Sequence, residues 1–498
     1  MILMSAQVTF AGQQAIGLKL GETRFILEGA KTFAVVLLYL ILPNLALILS
    51  AGTWNGLPHG YINLEFLLIG AAGMFLPRGV LFAALFLESM VDLAYGICYT
   101  YRFSVGELAS STRYLTSMPI GRLLEGLVLL ALCVLVCGVL AITRPHPQMR
   151  LRTAGALLVC VGLPTFIDMV DGQNLLWRKD ATLTSYRLVR SPAAVLALWE
   201  ISSIRVGAYS RGSDDLPMRS ASSEIAAFLD GRASTADSPN VVLIVVESWG
   251  IPLDPRLARA LTAPYDDQRI AGKYKISSGT VPFTGLTVPG EARELCHSTA
   301  GFGILNAPAA LTDHCLPALF HARGYENVAI HGFVGQMFYR DAWYPKLGFD
   351  ESWFGLDLHK LGLPSCPGAF PGTCDTAIAG WISTTFLAER QDKPRFIYWV
   401  TLNSHLPEPS HPNLPDDGVC ATQPALQDST ALCSWFRLVR AVHQSVEQAA
   451  LAPTARPTVF VLVGDHAPPF SDPDLRAEFS NTEVPYVMLT PLGKSEYR

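Results

Sequence analysis

Five apolar stretches crowd the first third of the chain, near residues 32–52, 61–77, 78–100, 121–143 and 152–171. Each is long enough, or nearly so, to cross a bilayer core of about 30 Å, which takes roughly 17–25 helical residues. This pattern predicts a transmembrane bundle of five helices over 1–172. Charge agrees: residues 1–172 carry 19 charged side chains, whereas the other 326 carry 60 and read as water-soluble. Only Pro77–Arg78 separates the second and third stretches, so the turn there must be tight; a re-entrant pair is the alternative.

Orientation follows the excess of Lys and Arg on the cytoplasmic side. Lys19, Arg24, Lys31, Arg78, Arg144, Arg150 and Arg152 fall on one side, against Arg102, Arg113 and Arg122 on the other. Five crossings then put the N-terminus inside and everything after 172 outside. Residues 1–30 have no short apolar core with a small-residue cleavage site, so the first crossing is expected to be a retained targeting signal. Glu88 and Asp92 are four apart and share a helix face. They are either a polar pocket for a lipid head group or a hydrated helix end.

Residues 173–238 mix basic and apolar side chains, among them Trp177, Arg178, Lys179, Arg190 and Trp199. This is expected to be an amphipathic linker on the outer membrane surface; an ordinary linker helix is the alternative. From 239 onward the pattern changes to short, continuous apolar runs: 241–246, 328–330, 396–402, 459–463 and 484–489. Helical patterns over 375–391 and 432–450 separate some of them. Such alternation predicts an α/β domain with a mostly parallel sheet covered on both faces.

The residues after these runs carry the chemistry. The first ends at Glu247, the second at His331, the third leads to His405, the fourth to Asp465 and His466. Ligands of open α/β sheets bind beyond the carboxyl ends of the strands, so four strands deliver these groups to one edge. Glu247, Asp465 and His466 are oxygen and nitrogen donors suited to one divalent metal. A hydroxyl beside such an ion becomes a nucleophile near neutral pH, and the segment 277–296 is rich in candidates. A net charge of −5 gives no reason to expect a nucleic-acid partner.

The pieces NVVLIVVESWG (240–250), GLTVPGE (285–291), HGFVGQMFYRDAWYPKLGFDE (331–351), TLNSHLPEP (401–409) and VLVGDHAPP (461–469) stand in an order that resembles the alkaline phosphatase/sulfatase superfamily. The resemblance is to its membrane-anchored transferase branch, with lipoteichoic acid synthases and phosphoethanolamine and phosphoglycerol transferases. It implies a sulfatase-like catalytic domain over 239–498, periplasmic, on a multi-pass protein of a bacterial inner membrane. Glu247, Asp465 and His466 then match metal ligands, with zinc placed ahead of manganese. Thr287 matches the nucleophile that becomes phosphorylated and also touches the metal; Thr284 is the alternative nucleophile. His405 matches a pocket histidine that moves a proton. Arg340 matches a phosphate-holding residue, the alternative being an ion pair with Asp341 or Glu351. His331 matches a position beside the pocket, the alternative being a structural histidine. Phe338 stands where part of the family has tryptophan. The sulfatase signature C/S-x-P-x-R is missing, the nearest cysteine lying in CHSTA (296–300), which disfavours sulfate ester hydrolysis.

Cys296, Cys315, Cys366, Cys374, Cys420 and Cys433 all fall in the outer domain. An even number there suggests disulfides. Fifteen connectivities are open to six cysteines; sequential pairing, 296–315, 366–374 and 420–433, is expected because each closes a short loop. The function implied by the resemblance is transfer of a phospholipid head group, phosphoethanolamine or phosphoglycerol, to a periplasmic glycan or glycolipid. A metal-dependent phosphodiester hydrolase is the alternative, and a non-catalytic lipid-binding regulator the third reading.

Overall fold

A computed structural model describes residues 29–44, 62–101, 120–143, 145–170, 238–298, 312–389, 392–406, 418–470 and 472–492, with short pieces between such as 189–194 and 219–225. The chain divides into two compact units, Met1–Tyr99 with Gly121–Ile201, and Thr100–Ile120 with Ser202–Arg498.

The first unit contains five apolar helices: α1 (Gly29–Asn44), α2 (Leu64–Gly73), α3 (Arg78–Tyr101), α4 (Ile120–Ile142) and α5 (Arg150–Val170). Three stretches are long and apolar enough to cross a membrane: Arg78–Cys98, Leu123–Ile142 and Pro147–Ile167. The expected five crossings are thereby reduced to three among the described residues. At 1.5 Å per residue, the ten residues of α2 extend about 15 Å, half of a bilayer core. Both ends contribute: the Asn63 side chain caps the helix at its start, accepting from the N–H groups of Glu65 and Phe66, and Pro77 disfavours helix in Leu76 just before it. Helix α1 is also short of a crossing, and the rest of the first expected span, 45–52, lies outside the described residues.

Tyr39, Phe66, Leu81, Leu85, Leu140 and Leu157 form this unit's core, while Leu127, Val128, Leu135, Val159 and Phe166 remain exposed and apolar. Glu88 and Asp92 are buried, not at a hydrated end. Asn63 Nδ2 donates to Glu88 Oε1 (2.9 Å), and the Arg190 guanidinium holds Asp92 with bonds as short as 2.6 Å. Most of the expected amphipathic linker, 173–238, lies outside the described residues.

The second unit is built on a seven-stranded sheet: β1 (Asn240–Val246), β2 (Tyr274–Pro282), β3 (Glu326–His331), β4 (Glu351–Phe354), β5 (Arg395–Val400), β6 (Thr458–Gly464) and β7 (Glu483–Pro491). Their order is β2-β7-β6-β1-β5-β3-β4. The run from β6 to β4 is parallel throughout, and β7 is antiparallel to both of its neighbours. The sheet is therefore mixed: five parallel strands run from β6 to the edge at β4, and the antiparallel pairings are confined to the other edge. Every residue of β1, β5 and β6 is buried, as a strand covered on both faces requires. One face packs on Trp435, Val439 and Val446 of α9 (Thr430–Leu451) and on α8 (Asp375–Trp381). The other packs on Val288, Ala292 and Leu295 of α6 (Thr287–Cys296) and on α7 (Arg340–Leu347).

Three disulfides join Cys296 to Cys315, Cys366 to Cys374 and Cys420 to Cys433, the sequential arrangement. Cys296 is the last residue of α6, and Cys374 immediately precedes α8.

Candidate active site

Parallel register brings four strand ends level. Gly464 stands opposite Val246, Val245 opposite Val400, and Val400 opposite His331. The next residues along β1 and β6 are Glu247 and Asp465, so the sheet itself sets them side by side. Ligand atoms of Glu247, Asp465 and His466 all lie within 4.8 Å of one another, and all three residues are buried. His466 Nε2 is 3.3 Å from both Glu247 Oε1 and Asp465 Oδ2.

Neighbouring groups hold these side chains from behind. Ser248 donates its hydroxyl to Glu247 Oε1 (2.8 Å) and its backbone N–H to Asp465 Oδ1 (2.8 Å). It does so from a left-handed backbone, φ 56°, a conformation unfavourable for a side chain and typical of functional sites. Glu247 N–H donates to Thr401 Oγ1 (2.9 Å), and Ser404 Oγ donates to the Glu247 carbonyl (2.6 Å). Arg293 Nη2 donates to the carbonyl of Gly464 (2.6 Å).

Thr287 opens α6 and is 7% exposed. Its Oγ1 donates to Glu247 Oε2 across 3.0 Å. No side chain caps this helix; Pro289 has no N–H and that of Gly290 donates to Leu286 O (3.1 Å), so the N–H groups of Thr287 and Val288 and the positive end of the dipole are left to face an anion. Thr284 is exposed in the loop ahead of the helix. Helix α6 reaches the site because Gly290 has no side chain: a Cβ there would stand 2.9 Å from Asp465 Cβ and 3.1 Å from its Cα.

Three histidines share one pattern. Nδ1 of His331 donates to Val400 O (3.0 Å), that of His405 to Leu406 O (2.8 Å), and that of His466 to Ala467 O (2.9 Å). A carbonyl can only accept, so in each ring Nδ1 carries hydrogen, and Nε2 is bare whenever the ring is neutral. Burial, with Arg340 next in importance, pushes His331 down to about 3. Burial also lowers His405, outweighing the pull of Glu247.

Burial pushes the Glu247 carboxyl up, but His405 and His466 outweigh it, and the net is well below the usual carboxylate range. Burial and the Glu247 charge drive Asp465 up to about 7. His466 is lowered by burial but raised more by Asp465 and Glu247, to about 9. Two carboxylates thus compete for too few protons, a conflict that a dication at the same place removes. Asp465 Oδ2 is moreover buried without a hydrogen bond, a costly condition unless something binds there. The donor chemistry and this orphaned oxygen fit a divalent metal.

Arg340 is buried and pairs with neither Asp341 nor Glu351. Its Nε and Nη2 donate to Glu291 Oε1 at 3.0 and 2.7 Å, and its guanidinium lies over the Phe338 ring, 5.2 Å from the centroid. Phe338 and Tyr339 are both left-handed (φ 57° and 51°).

The sulfatase family model matches residues 239–498, just over half of the chain. The chain belongs to the sulfatase family. Among solved structures, it is similar to the lipoteichoic acid synthase LtaP from Listeria monocytogenes, at 15% identity and TM-score 0.35 over 51% of this chain and 65% of that one. This chain thus spans a little less than two thirds of the synthase. It is also similar to the Streptococcus pyogenes phosphoglycerol transferase GacH, solved with sn-glycerol-1-phosphate (14%, TM-score 0.35, 55% of this chain and 76% of that one). A third is the C-terminal periplasmic domain of EptC from Escherichia coli, in complex with Zn (13%, TM-score 0.34, 53% and 77%). Comparison with curated proteins returned no match.

Within this sulfatase domain, Cys296 is committed to the bridge with Cys315, which removes the cysteine nearest to a formylglycine position. Two supporting residues carried little signal in the sequence. Ser248 comes directly after Glu247, yet its role depends on a backbone twist that composition does not announce. Asp375 accepts from the N–H groups of Leu402 (3.0 Å) and Asn403 (2.7 Å), pinning the loop that carries His405. Asp375 lies 30 residues upstream of that histidine, and only its place at the start of a helix hinted at importance.

Proposed function

We propose that the chain transfers the phospho-head group of a membrane phospholipid, phosphoethanolamine or phosphoglycerol, to a periplasmic glycan or glycolipid. In this reading residues 1–172 anchor the protein in a bacterial inner membrane, 173–238 lie along its outer surface, and 239–498 form the periplasmic catalytic domain. The observation that carries the proposal is the 3.0 Å bond between Thr287 Oγ1 and Glu247 Oε2 at an uncapped helix start. It sets a hydroxyl beside the candidate metal ligands and under N–H groups able to receive a phosphate.

Glu247, Asp465 and His466, together with Thr287, would hold one divalent ion, for which zinc is proposed ahead of manganese. When bound, such an ion polarises phosphoryl oxygens and lowers the pKa of a neighbouring hydroxyl. Thr287 Oγ1 forms the new bond to phosphorus, and the bond from phosphorus to the diacylglycerol oxygen breaks. His405 Nε2, which carries no hydrogen at rest, takes the threonine proton and passes it to the departing oxygen. In the second step the same nitrogen takes the proton of an acceptor hydroxyl. That oxygen bonds to phosphorus, the bond to Thr287 breaks, and the proton returns to Oγ1. Dividing the transfer through a covalent intermediate replaces one difficult displacement with two easier ones. The first-turn N–H groups of α6 and the Arg340 guanidinium hold the phosphate oxygens throughout.

The test is mass spectrometry of the full-length, detergent-solubilised protein, acid-quenched after exposure to phospholipid without acceptor. A phosphoethanolamine or phosphoglycerol increment on Thr287 is expected, and its mass names the head group. An adduct on Thr284, or none while lipid is consumed, overturns the proposal. Rapid release of free head group that acceptor glycan fails to divert would make the protein a hydrolase.

A further inference from the structure

Glu291 lies one turn beyond Thr287 on α6, so the two share a helix face, and it is fully buried. Both of its oxygens are engaged. Oε1 accepts from Arg340 Nε and Nη2, and Oε2 accepts from Tyr344 OH (2.6 Å) and Tyr398 OH (3.3 Å). Burial, reinforced by the Glu291 charge, raises both tyrosines well above their ordinary value, so they stay neutral. The cluster therefore holds one positive and one negative charge and is neutral as a whole. It is also one helical turn from the hydroxyl of Thr287, which itself bonds Glu247 Oε2 at 3.0 Å.

A phosphate ester can present one or two negative charges. A diester has one at any physiological pH, whereas a monoester approaches two at pH 7. An uncompensated guanidinium would favour the second charge. A guanidinium already neutralised by a buried carboxylate offers direction without net charge, because the bonds to Glu291 use Nε and Nη2 and leave Nη1.

We infer that Glu291 is a specificity-determining residue: by holding Arg340 in a neutral ion pair beside the nucleophile helix, it tunes the site to singly charged phosphodiesters over doubly charged phosphomonoesters. The inference rests on the transfer reading above, in which Arg340 faces the phosphate.

The experiment compares bis(p-nitrophenyl) phosphate with p-nitrophenyl phosphate on full-length wild type and Glu291→Gln. Melting temperature reports whether the variant is folded. Wild type should favour the diester in kcat/KM. Glu291→Gln keeps the shape of the side chain and an acceptor for Arg340 but frees its charge, so the monoester-to-diester ratio should rise on the order of ten-fold. Equal losses on both esters, the result for a purely structural glutamate, overturn the inference. If Glu291→Gln fails to fold, wild type decides: a preference for the monoester, or inhibition by inorganic phosphate that tightens as it gains its second charge between about pH 6 and 8, overturns it. Turnover of the diester without an adduct on Thr287 would sink the transfer reading and still leave the ratio readable.

Discussion

The Oγ1 of Thr287 donates to Oε2 of Glu247 across 3.0 Å, joining the first residue of α6 to the residue that ends the central part of the sheet. Thr287→Ala should therefore fold normally and lose head-group transfer on the order of 10³-fold or more, as removal of a nucleophile does. Thr284→Ala should transfer nearly as well as wild type. Transfer by Thr287→Ala alongside a dead Thr284→Ala would move the nucleophile three residues upstream.

Gly290→Ala should reverse the usual sign of its substitution. Alanine in a helix interior ordinarily gains about 1 kcal/mol over glycine. Here the new methyl group meets Asp465 Cβ at 2.9 Å and its Cα at 3.1 Å, and overpacking of that kind costs about 1–3 kcal/mol. The expected result is a lower melting temperature with weaker metal binding, read by calorimetry and metal titration. An unchanged or higher melting temperature with unchanged metal affinity would mean that the two elements separate freely.

Acid should destabilise the sulfatase domain well above the carboxylate range. Burial lowers His443 to about 3, and His331 is lowered equally far. A histidine depressed in the folded state contributes stability above its unfolded pKa near 6.5, and that contribution is lost as pH falls toward 3. His443 packs edge-on against Trp249, ring centroids 4.4 Å apart, and is bonded through Nδ1 to Tyr265 OH (3.0 Å). His443→Gln should therefore flatten the fall in stability between about pH 6.5 and 3, measured by urea denaturation at a series of pH values. A profile of unchanged slope would contradict the assignment.

Reduction should loosen the sulfatase domain and spare the N-terminal apolar helices. The three bridges close loops of 19, 8 and 13 residues. Loss of a native disulfide typically costs about 2–5 kcal/mol in small secreted domains, and the larger core here should moderate that. Thiol titration of the denatured, unreduced chain should find Cys98, Cys133, Cys137 and Cys160. Ten free thiols would refute the pairing.

The parts legible in the sequence were those governed by local pattern. Strands β1, β5 and β6 are buried on both faces, so each reads as an unbroken apolar run, and the polar residues just past such a run mark the sheet edge. Strand β2 hid because its middle is exposed, with Ser277 and Ser278 facing water. Strand β4 has only four residues. The antiparallel course of β7 left no mark, because a buried strand reads alike in either direction. The brevity of α2 was masked by apolar residues that continue to Leu76 past its last turn. Arg340 misled for a different reason. Nearby acids Asp341 and Glu351 looked like partners, yet its carboxylate is Glu291, brought close from 49 residues away by the packing of α6 against the sheet.

The three histidine rings beside the site share a property that mutation elsewhere will find hard to change. In each, a main-chain carbonyl keeps the hydrogen on Nδ1. For His331 and His405, which burial keeps neutral, the carbonyl alone decides the tautomer, so drift among the surrounding side chains can remodel the pocket while Nε2 stays bare. The ring positions themselves can also be imitated atom by atom. Asparagine keeps the amide near Nδ1 and erases Nε2, whereas glutamine reaches toward Nε2 and abandons the carbonyl. Paired substitutions of that kind at His331 and His405 would separate a histidine that shapes its loop from one that handles a proton.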